Sequence, residues 1–277
     1  AVAAASAVPR ELLAVQVSSV LLLYINPRLP CAHPVTDLIT GIDLVEQMIR
    51  VAAGETLMLS QKDVKLNGWA VESRVYAEDP YRNFLPSTGR LVKYRPPTEQ
   101  IRDGVTTRND TGVFEGGEIS IWYDPMIAKL CTHAPTRSEA IAAMAQGLDS
   151  FYIEGIQHNV PFVSAIMGNP RWQAAQLSTG FIAEEFPDGF KGNPITPELA
   201  DRLTTVACVL DHVENRRKRK ISGQMNGRAV KFSKERCVQL GKHWHCVEVV
   251  HASASGSRIV QPAARVETGG VCTWGQV

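Results

Sequence analysis

An amide and a guanidinium lie two residues apart in a stretch stiffened by prolines, near the start of this 277-residue chain. Asn26 and Arg28 follow the apolar run 20–25, whose branched and aromatic residues are typical of a buried strand. Pro27 and Pro30 then exclude a helix or a regular ladder, which places both side chains in a loop. An amide oxygen suits a hard cation and a guanidinium suits a planar anion, but the spacing alone favours a surface loop with a salt-bridged Arg, because such pairs are common.

A second candidate segment spans residues 69–76, where apolar and polar residues alternate. This alternation predicts a strand with two unlike faces. The polar face carries Glu72, Arg74 and Tyr76, and it suits either solvent or a binding site. Lys129, in the predicted strand 127–131, is assigned no chemistry because a strand Lys is usually solvated.

Long motifs connect these segments to a known family. The chain resembles biotin carboxylases, the ATP-grasp subunits of biotin-dependent carboxylases, through residues 26–29, 33–45, 67–80, 84–90 and 123–130. Phe186-Pro-Asp-Gly-Phe-Lys-Gly192 and the basic tract before Ile221-Ser-Gly-Gln224 are similar to the α subunit of propionyl-CoA carboxylase. Several long motifs in the family's order form a specific signal.

The resemblance implies roles for four residues. Arg28 and Arg74 would be catalytic, and together with Cys31 they would bind bicarbonate and biotin, whereas Asn26 would ligate a metal ion. A cation held beside the ureido oxygen of biotin would stabilise the enolate that forms when N1 loses its proton. We therefore expect the guanidinium groups of Arg28 and Arg74 to converge on one anionic pocket.

Two substitutions depart from the family pattern. Tyr24 stands where the family has a metal-binding Glu, and Ala32 stands where it has the Glu that deprotonates bicarbonate. Alanine can neither accept a proton nor bind a metal, and general-base assistance is worth about 10²–10⁴ in rate. The sequence therefore predicts that this chain alone is inactive.

The intact family uses biotin, ATP and Mg²⁺, and we expect this chain alone to bind none of them productively. A Gly-rich phosphate loop before residue 20 and a Glu-Ala-Met-Lys-Met biotin-acceptor segment are both absent from the sequence. The prediction is a partial α subunit of a propionyl-CoA or other acyl-CoA carboxylase, with biotin on a separate carrier domain and a carboxyltransferase β subunit as partner. The alternative is a non-catalytic assembly module that docks on that β subunit.

The predicted architecture is α+β. Residues 1–19 are unassigned, and residues 20–187 form the biotin carboxylase C-terminal lobe, an antiparallel sheet with flanking helices. Residues 188–277, after a boundary rich in Pro and Gly, form a long helix and an incomplete β-barrel-like module for subunit contact. Asp43 and Thr136 each begin a capping box, and Asn159 is expected to cap a short helix.

The long helix begins at Thr196 and Pro197 and carries one apolar stripe suited to a partner surface. The stripe comprises Leu199, Leu203, Val206, Leu210 and Val213. The basic run 216–220 at its end suits either nucleic acid or the helix dipole.

Composition favours a soluble protein without nucleic-acid or membrane partners, in the cytoplasm or, in a eukaryote, the mitochondrial matrix. The net charge is +1, hydrophobic residues make up 44% of the chain, and no apolar stretch reaches the length of a membrane span. The six cysteines lack any Cys-x-x-Cys pair and are expected to be reduced. His243, His245 and Cys246 are better interpreted as strand-face residues than as a metal site.

Overall fold

The computed structural model describes residues 10–273, except 17–18, 26–28, 30–31, 220–234, 253–255, 261–265 and 269–270. Side chains are described at residue 29 and over 32–218 and 235–248. The chain divides into two compact units, residues 1–192 and 193–277. The first unit is called the lobe below. The domain limits predicted from the sequence, 1–19, 20–187 and 188–277, stay a prediction.

Strands and helices of the lobe follow in this order: β1 (Arg10–Gln16), β2 (Ser19–Ile25), α1 (His33–Thr40), α2 (Leu44–Ala52), β3 (Trp69–Tyr76), β4 (Glu78–Asp79), a 3₁₀ turn (Pro80–Arg82), β5 (Leu85–Pro86), β6 (Gly89–Arg90), β7 (Lys93–Arg95), β8 (Gln100–Arg102), β9 (Val105–Thr111), β10 (Glu118–Ile119), β11 (Met126–Ala134), α3 (Arg137–Asp149), β12 (Tyr152–Glu154), α4 (Val160–Met167), α5 (Pro170–Gln173) and α6 (Phe181–Glu185).

A four-stranded antiparallel sheet, in the order β3-β11-β9-β8, forms the frame of the lobe. One face is buried: Val71 and Val75 of β3 and Leu130 of β11 belong to the main core cluster. Helix α3 covers this face and contributes Met144 and Leu148, both fully buried. These contacts confirm the predicted α+β class, with helices flanking an antiparallel sheet.

The sheet departs from the predicted strands at β8 and β9. These strands form a hairpin around Asp103 and Gly104, which both have positive φ, as a type I′ turn requires. The sequence predicts only a break between strands at this dipeptide, because the polar run of β9 lacks an apolar alternation. Conversely, the sequence predicts a strand over residues 119–122, but the strand ends at Ile119, and Trp122 lies exposed in a turn.

Helix α2 differs from its predicted role. Asp43 caps it by accepting a hydrogen bond from the Glu46 amide at 2.9 Å, as predicted, whereas the Glu46 carboxylate bonds to Arg50. The spacing of Val45, Met48, Ile49 and Ala52 predicts one apolar packing face on α2. None of the residues of α2 is buried, however, and Ile49 is largely exposed.

The second unit begins with the predicted long helix, α7 (Pro197–Arg219). The strands that follow are β13 (Glu235–Leu240), β14 (His243–Ala252), β15 (Gly256–Val260), β16 (Val266–Thr268) and β17 (Val271–Thr273). Strands β13, β14 and β15 form one antiparallel sheet, and β16 pairs with β17. The described strands therefore do not close into a barrel. Cys208 of α7 is buried against Val247 and Val238.

The predicted stripe of α7 is largely exposed, as a surface for a partner requires, and only Val213 of its members is half-buried. Leu203 and Leu210 are 41% and 59% exposed, and the buried positions of the helix are the small residues Ala200, Thr204 and Cys208. Among the described residues, no helix is both long enough and apolar enough to cross a bilayer.

Loss of the α3 cap should destabilise the lobe measurably. Thr136 accepts from the Glu139 amide, and the Glu139 carboxylate accepts in return from the Thr136 amide, which completes the predicted capping box. Thr136→Ala should lower the free energy of unfolding by about 0.5–2 kcal/mol, measured by urea denaturation. Thr179→Ala, at an exposed loop position, is the matched control. Equal stability of the two variants would contradict a role for this cap.

Candidate active-site surface

The face of the sheet opposite α3 collects charged and polar side chains in register. Arg74 of β3 lies opposite Lys129 of β11, which lies opposite Asp110 of β9. In the next row on the same face, two residues along each strand, Glu72 lies opposite Cys131, which lies opposite Arg108. We call these six residues the charged face. The period-two alternation of paired strands places them together, as predicted for the β3 members.

Arg74 is held by its neighbour on the same face. Its Nε donates to Oε1 of Glu72 at 3.0 Å. Glu72 is 10% exposed and Arg74 is 42% exposed, so a buried carboxylate anchors a guanidinium that remains open to solvent. The hydrogen bond to Glu72 raises the pKa of Arg74, which keeps it cationic. Such a cation is suited to stabilise an anion or an enolate oxygen.

Glu72 retains one buried oxygen without a described partner. Its Oε2 is inaccessible to solvent and makes no hydrogen bond within the part of the chain that the structure describes. A buried carboxylate oxygen normally finds a donor, since an unsatisfied polar group costs about 1–3 kcal/mol. Glu72 therefore has acceptor capacity beyond the bond that it makes to Arg74.

Arg108 joins the sheet to helix α1. Its Nε and Nη2 donate to the two carboxylate oxygens of Asp110 at 2.8 and 3.1 Å, and its Nη1 donates to Asp37 of α1 at 3.2 Å. The Asp110 carboxylate, and secondarily Asp37, raises the pKa of Arg108. This ion pair therefore ties α1 to the charged face. Sequence reasoning missed Arg108 and Asp37, and the Asp103-Gly104 turn was the signal that could have revealed β9.

Cys131 is an inert member of the charged face. It is fully buried, and burial, together with the charges of Glu72 and Asp110, raises the pKa of its thiol to about 12. A thiol with so high a pKa is a poor nucleophile near neutral pH. Cys131 therefore fills space beneath the charged groups rather than reacting.

Most residues predicted for the site lie outside the described residues. Asn26, Arg28 and Cys31 fall there, so the predicted convergence of Arg28 and Arg74 stays a prediction. Arg74 lies on the charged face, and Lys129, expected to be solvated, is half-buried between its neighbours.

The position that the resemblance assigns to the general base carries no carboxylate. Ala32, at the position of the family's general base, is the exposed N-cap of α1 and makes no side-chain hydrogen bond. In the described part of the chain, no three His, Cys, Asp or Glu residues gather where they could hold a metal ion.

The charged face lies within a segment that matches a known domain family. Residues 72–184 match the model of the biotin carboxylase C-terminal domain. Residues 72–184 belong to this family. Residues 11–60 match the ATP-binding domain of the carbamoyl-phosphate synthase L chain. This match begins within residues 1–19, for which the sequence predicts no domain. Residues 203–266 match the propionyl-coenzyme A carboxylase BT domain.

Curated relatives confirm the resemblance to propionyl-CoA carboxylase α chains. The α chain from Ruegeria pomeroyi is 52% identical over 233 residues, which is 79% of this chain and 34% of that protein. The mitochondrial α chain from Homo sapiens is 47% identical over 189 residues, 68% of this chain and 25% of that protein. The chain thus spans about a quarter to a third of the length of these relatives.

Solved structures agree with the biotin carboxylase assignment. The biotin carboxylase subunit of a pyruvate carboxylase is 38% identical with a TM-score of 0.59, covering 65% of this chain and 38% of that one. The biotin carboxylase domain of Hydrogenobacter thermophilus 2-oxoglutarate carboxylase, solved with MgADP, ADP and bicarbonate, is 34% identical with a TM-score of 0.59. It covers 64% of this chain and 38% of that one.

Removing the charge of Asp37 should loosen α1 from the sheet. Asp37→Asn weakens a half-buried ion pair, and we expect a loss of about 1–2 kcal/mol in the free energy of unfolding, measured by urea denaturation. Asp103→Asn is the matched control, because it weakens only the exposed pair with Arg102 and should change stability by at most about 0.5 kcal/mol. A loss no larger than that of the control would show that Asp37 does not anchor α1.

Proposed function

We propose that this chain is part of the α subunit of a propionyl-CoA or related acyl-CoA carboxylase and supplies one wall of its biotin carboxylase site. The observation that carries the proposal is the solvent-open guanidinium of Arg74, held by the buried carboxylate of Glu72 on a lobe of this family. The similarity of most of the chain to propionyl-CoA carboxylase α chains supports the choice of acyl-CoA carboxylases.

Arg74 is proposed to act electrostatically on biotin, which reaches the site as a substrate on a separate carrier domain. Deprotonation of the ureido N1 places negative charge on the ureido oxygen, and a fixed guanidinium lowers the free energy of that enolate. Arg28 and Cys31 are proposed to line the bicarbonate side of the same pocket, and Asn26 is the remaining residue at a metal-binding position.

The chain by itself is proposed to be inactive in biotin carboxylation. Tyr24 and Ala32 replace the two carboxylates that the resemblance implies, so neither bicarbonate deprotonation nor metal binding has its usual group. The intact family draws on ATP and Mg²⁺, and the match to an ATP-binding domain extends only over residues 11–60. The cytoplasm, or the mitochondrial matrix in a eukaryote, is the proposed compartment, since several relatives are named as mitochondrial.

An assay of ATP hydrolysis tests this proposal. The purified chain, supplied with ATP, Mg²⁺, bicarbonate and free biotin, should release no phosphate above the blank, because the general base is missing. An active biotin carboxylase assayed in parallel is the positive control. Hydrolysis that depends on biotin and is lost in Arg74→Ala would contradict the proposed inactivity while supporting the role of Arg74.

A second candidate function is assembly without catalysis. The exposed stripe of α7, within a region that largely matches the BT domain, is proposed to dock on the carboxyltransferase β subunit of an acyl-CoA carboxylase. Large apolar side chains on one exposed helix face suit a partner groove.

Co-purification with a tagged carboxyltransferase β subunit tests the docking. Leu203→Asp with Leu210→Asp should abolish co-purification, because a carboxylate buried at an interface costs several kcal/mol. Ile101→Asp in the lobe, at a position 81% exposed, is the matched control and should leave binding intact. Retention of the β subunit by the double variant, with unchanged circular dichroism, would exclude the stripe as the docking surface.

A further inference from the structure

Asn159 makes an unexpected set of contacts at the edge of strand β3. It occupies the N-cap position of α4, as predicted, but its side chain makes no capping hydrogen bond there. The side chain turns to β3 instead: its Oδ1 accepts from the Tyr76 amide at 2.9 Å, and its Nδ2 donates to the Arg74 carbonyl at 3.1 Å. The Asn159 amide adds a third bond, to the Tyr76 carbonyl, at 3.1 Å.

These three bonds replace the hydrogen bonds that a neighbouring strand would make to this edge of β3. β3 pairs with β11 on one side and, among the described residues, is the last strand of its sheet. The Arg74 and Tyr76 backbone groups that face away from β11 would otherwise need another partner, and Asn159, which is itself buried, supplies it. A carboxamide carries both a donor and an acceptor, so a single side chain can bond to both residues.

The contacts fix the backbone at Arg74 from both sides. β3 pairs with β11 along one edge, where Arg74 lies opposite Lys129, and Asn159 bonds to the Arg74 carbonyl on the other edge. A backbone fixed on both edges sets the direction of the Arg74 side chain, and Glu72 then sets its guanidinium. Functional groups need support of this kind to stay within about 0.5 Å of a productive geometry.

We propose that Asn159 is a positioning residue for Arg74, acting through the β3 backbone 85 residues away in sequence. The inference deepens the proposed function and rests on it for the role of Arg74. It assigns Asn159 more than a helix cap: its carboxamide determines where the anion-binding guanidinium stands.

Nuclear magnetic resonance of the full chain tests the proposal through three measurements. These are the Arg74 Nε–Hε signal (assigned by its loss in Arg74→Lys), its response to sodium bicarbonate and to free biotin, and hydrogen exchange at the Tyr76 amide. Asn159→Ala removes both side-chain bonds. Asn159→Asp keeps the acceptor for the Tyr76 amide but places a carboxylate oxygen, which repels, next to the Arg74 carbonyl. This variant replaces Asn159→Ala in the experiment if the Ala variant does not fold.

Asn169→Ala is the matched control. Asn169 also sits at a helix N-cap and makes side-chain bonds, to the Arg171 and Trp172 amides and to Glu185. Removing it should lower the melting temperature comparably without affecting Arg74.

We expect Asn159→Ala to move the Arg74 signal and to speed Tyr76 exchange about tenfold, the effect of losing roughly one hydrogen bond, whereas Asn169→Ala changes neither. An unmoved Arg74 signal in an Asn159 variant whose melting temperature falls would overturn the proposal and leave Asn159 purely structural. If the Arg74 signal of the wild-type chain changes with neither bicarbonate nor biotin, the proposed role of Arg74 in binding them is wrong. The comparison of the two Asn variants at that signal still decides the positioning role.

Discussion

The apolar interface between the sheet and α3 is the constraint on which the charged face depends. Leu130, Met144 and Leu148 are fully buried there, and their burial fixes which side of each strand faces inward. Because strand side chains alternate, the same packing fixes Arg74 and Glu72 on the opposite side. A slip of one residue would exchange the two faces, so the hydrophobic contacts also specify the electrostatics.

Features encoded by a local sequence pattern were predicted, whereas contacts between residues far apart in the sequence were not. The alternation in residues 69–76 was sufficient to place Glu72 and Arg74 on one face. The run in β9 is too polar to show an alternation, so Arg108 was overlooked even though Asp103-Gly104 marks a hairpin. Asn159 was assigned to a helix cap because its partners on β3 are more than 80 residues away.

The long family motifs explain why the fold class and the resemblance were predictable while the pocket was not. Those motifs run through β3 and β11, which the structure describes, and the curated relatives confirm them. Arg28 and Cys31 lie outside the described residues, and local sequence patterns do not encode their distance from Arg74.

The substitution at position 32 bears on structure as well as chemistry. Ala32 is the N-cap of α1, and Ala is a poor cap that costs about 1 kcal/mol relative to Ser or Asp. The ion pair between Asp37 and Arg108 offsets this weakness by tying α1 to the sheet. The helix can therefore tolerate a position that no longer supplies a carboxylate.

The two margins of the main sheet have a consequence for the behaviour of the lobe in solution. β8 is only three residues long, includes Arg102 and follows Pro96 and Pro97. On the opposite margin, Asn159 already occupies backbone groups of β3 that an incoming chain would need. Short, charged or covered margins resist the addition of foreign strands. Both edges of the main sheet are thus protected against the addition of a foreign strand.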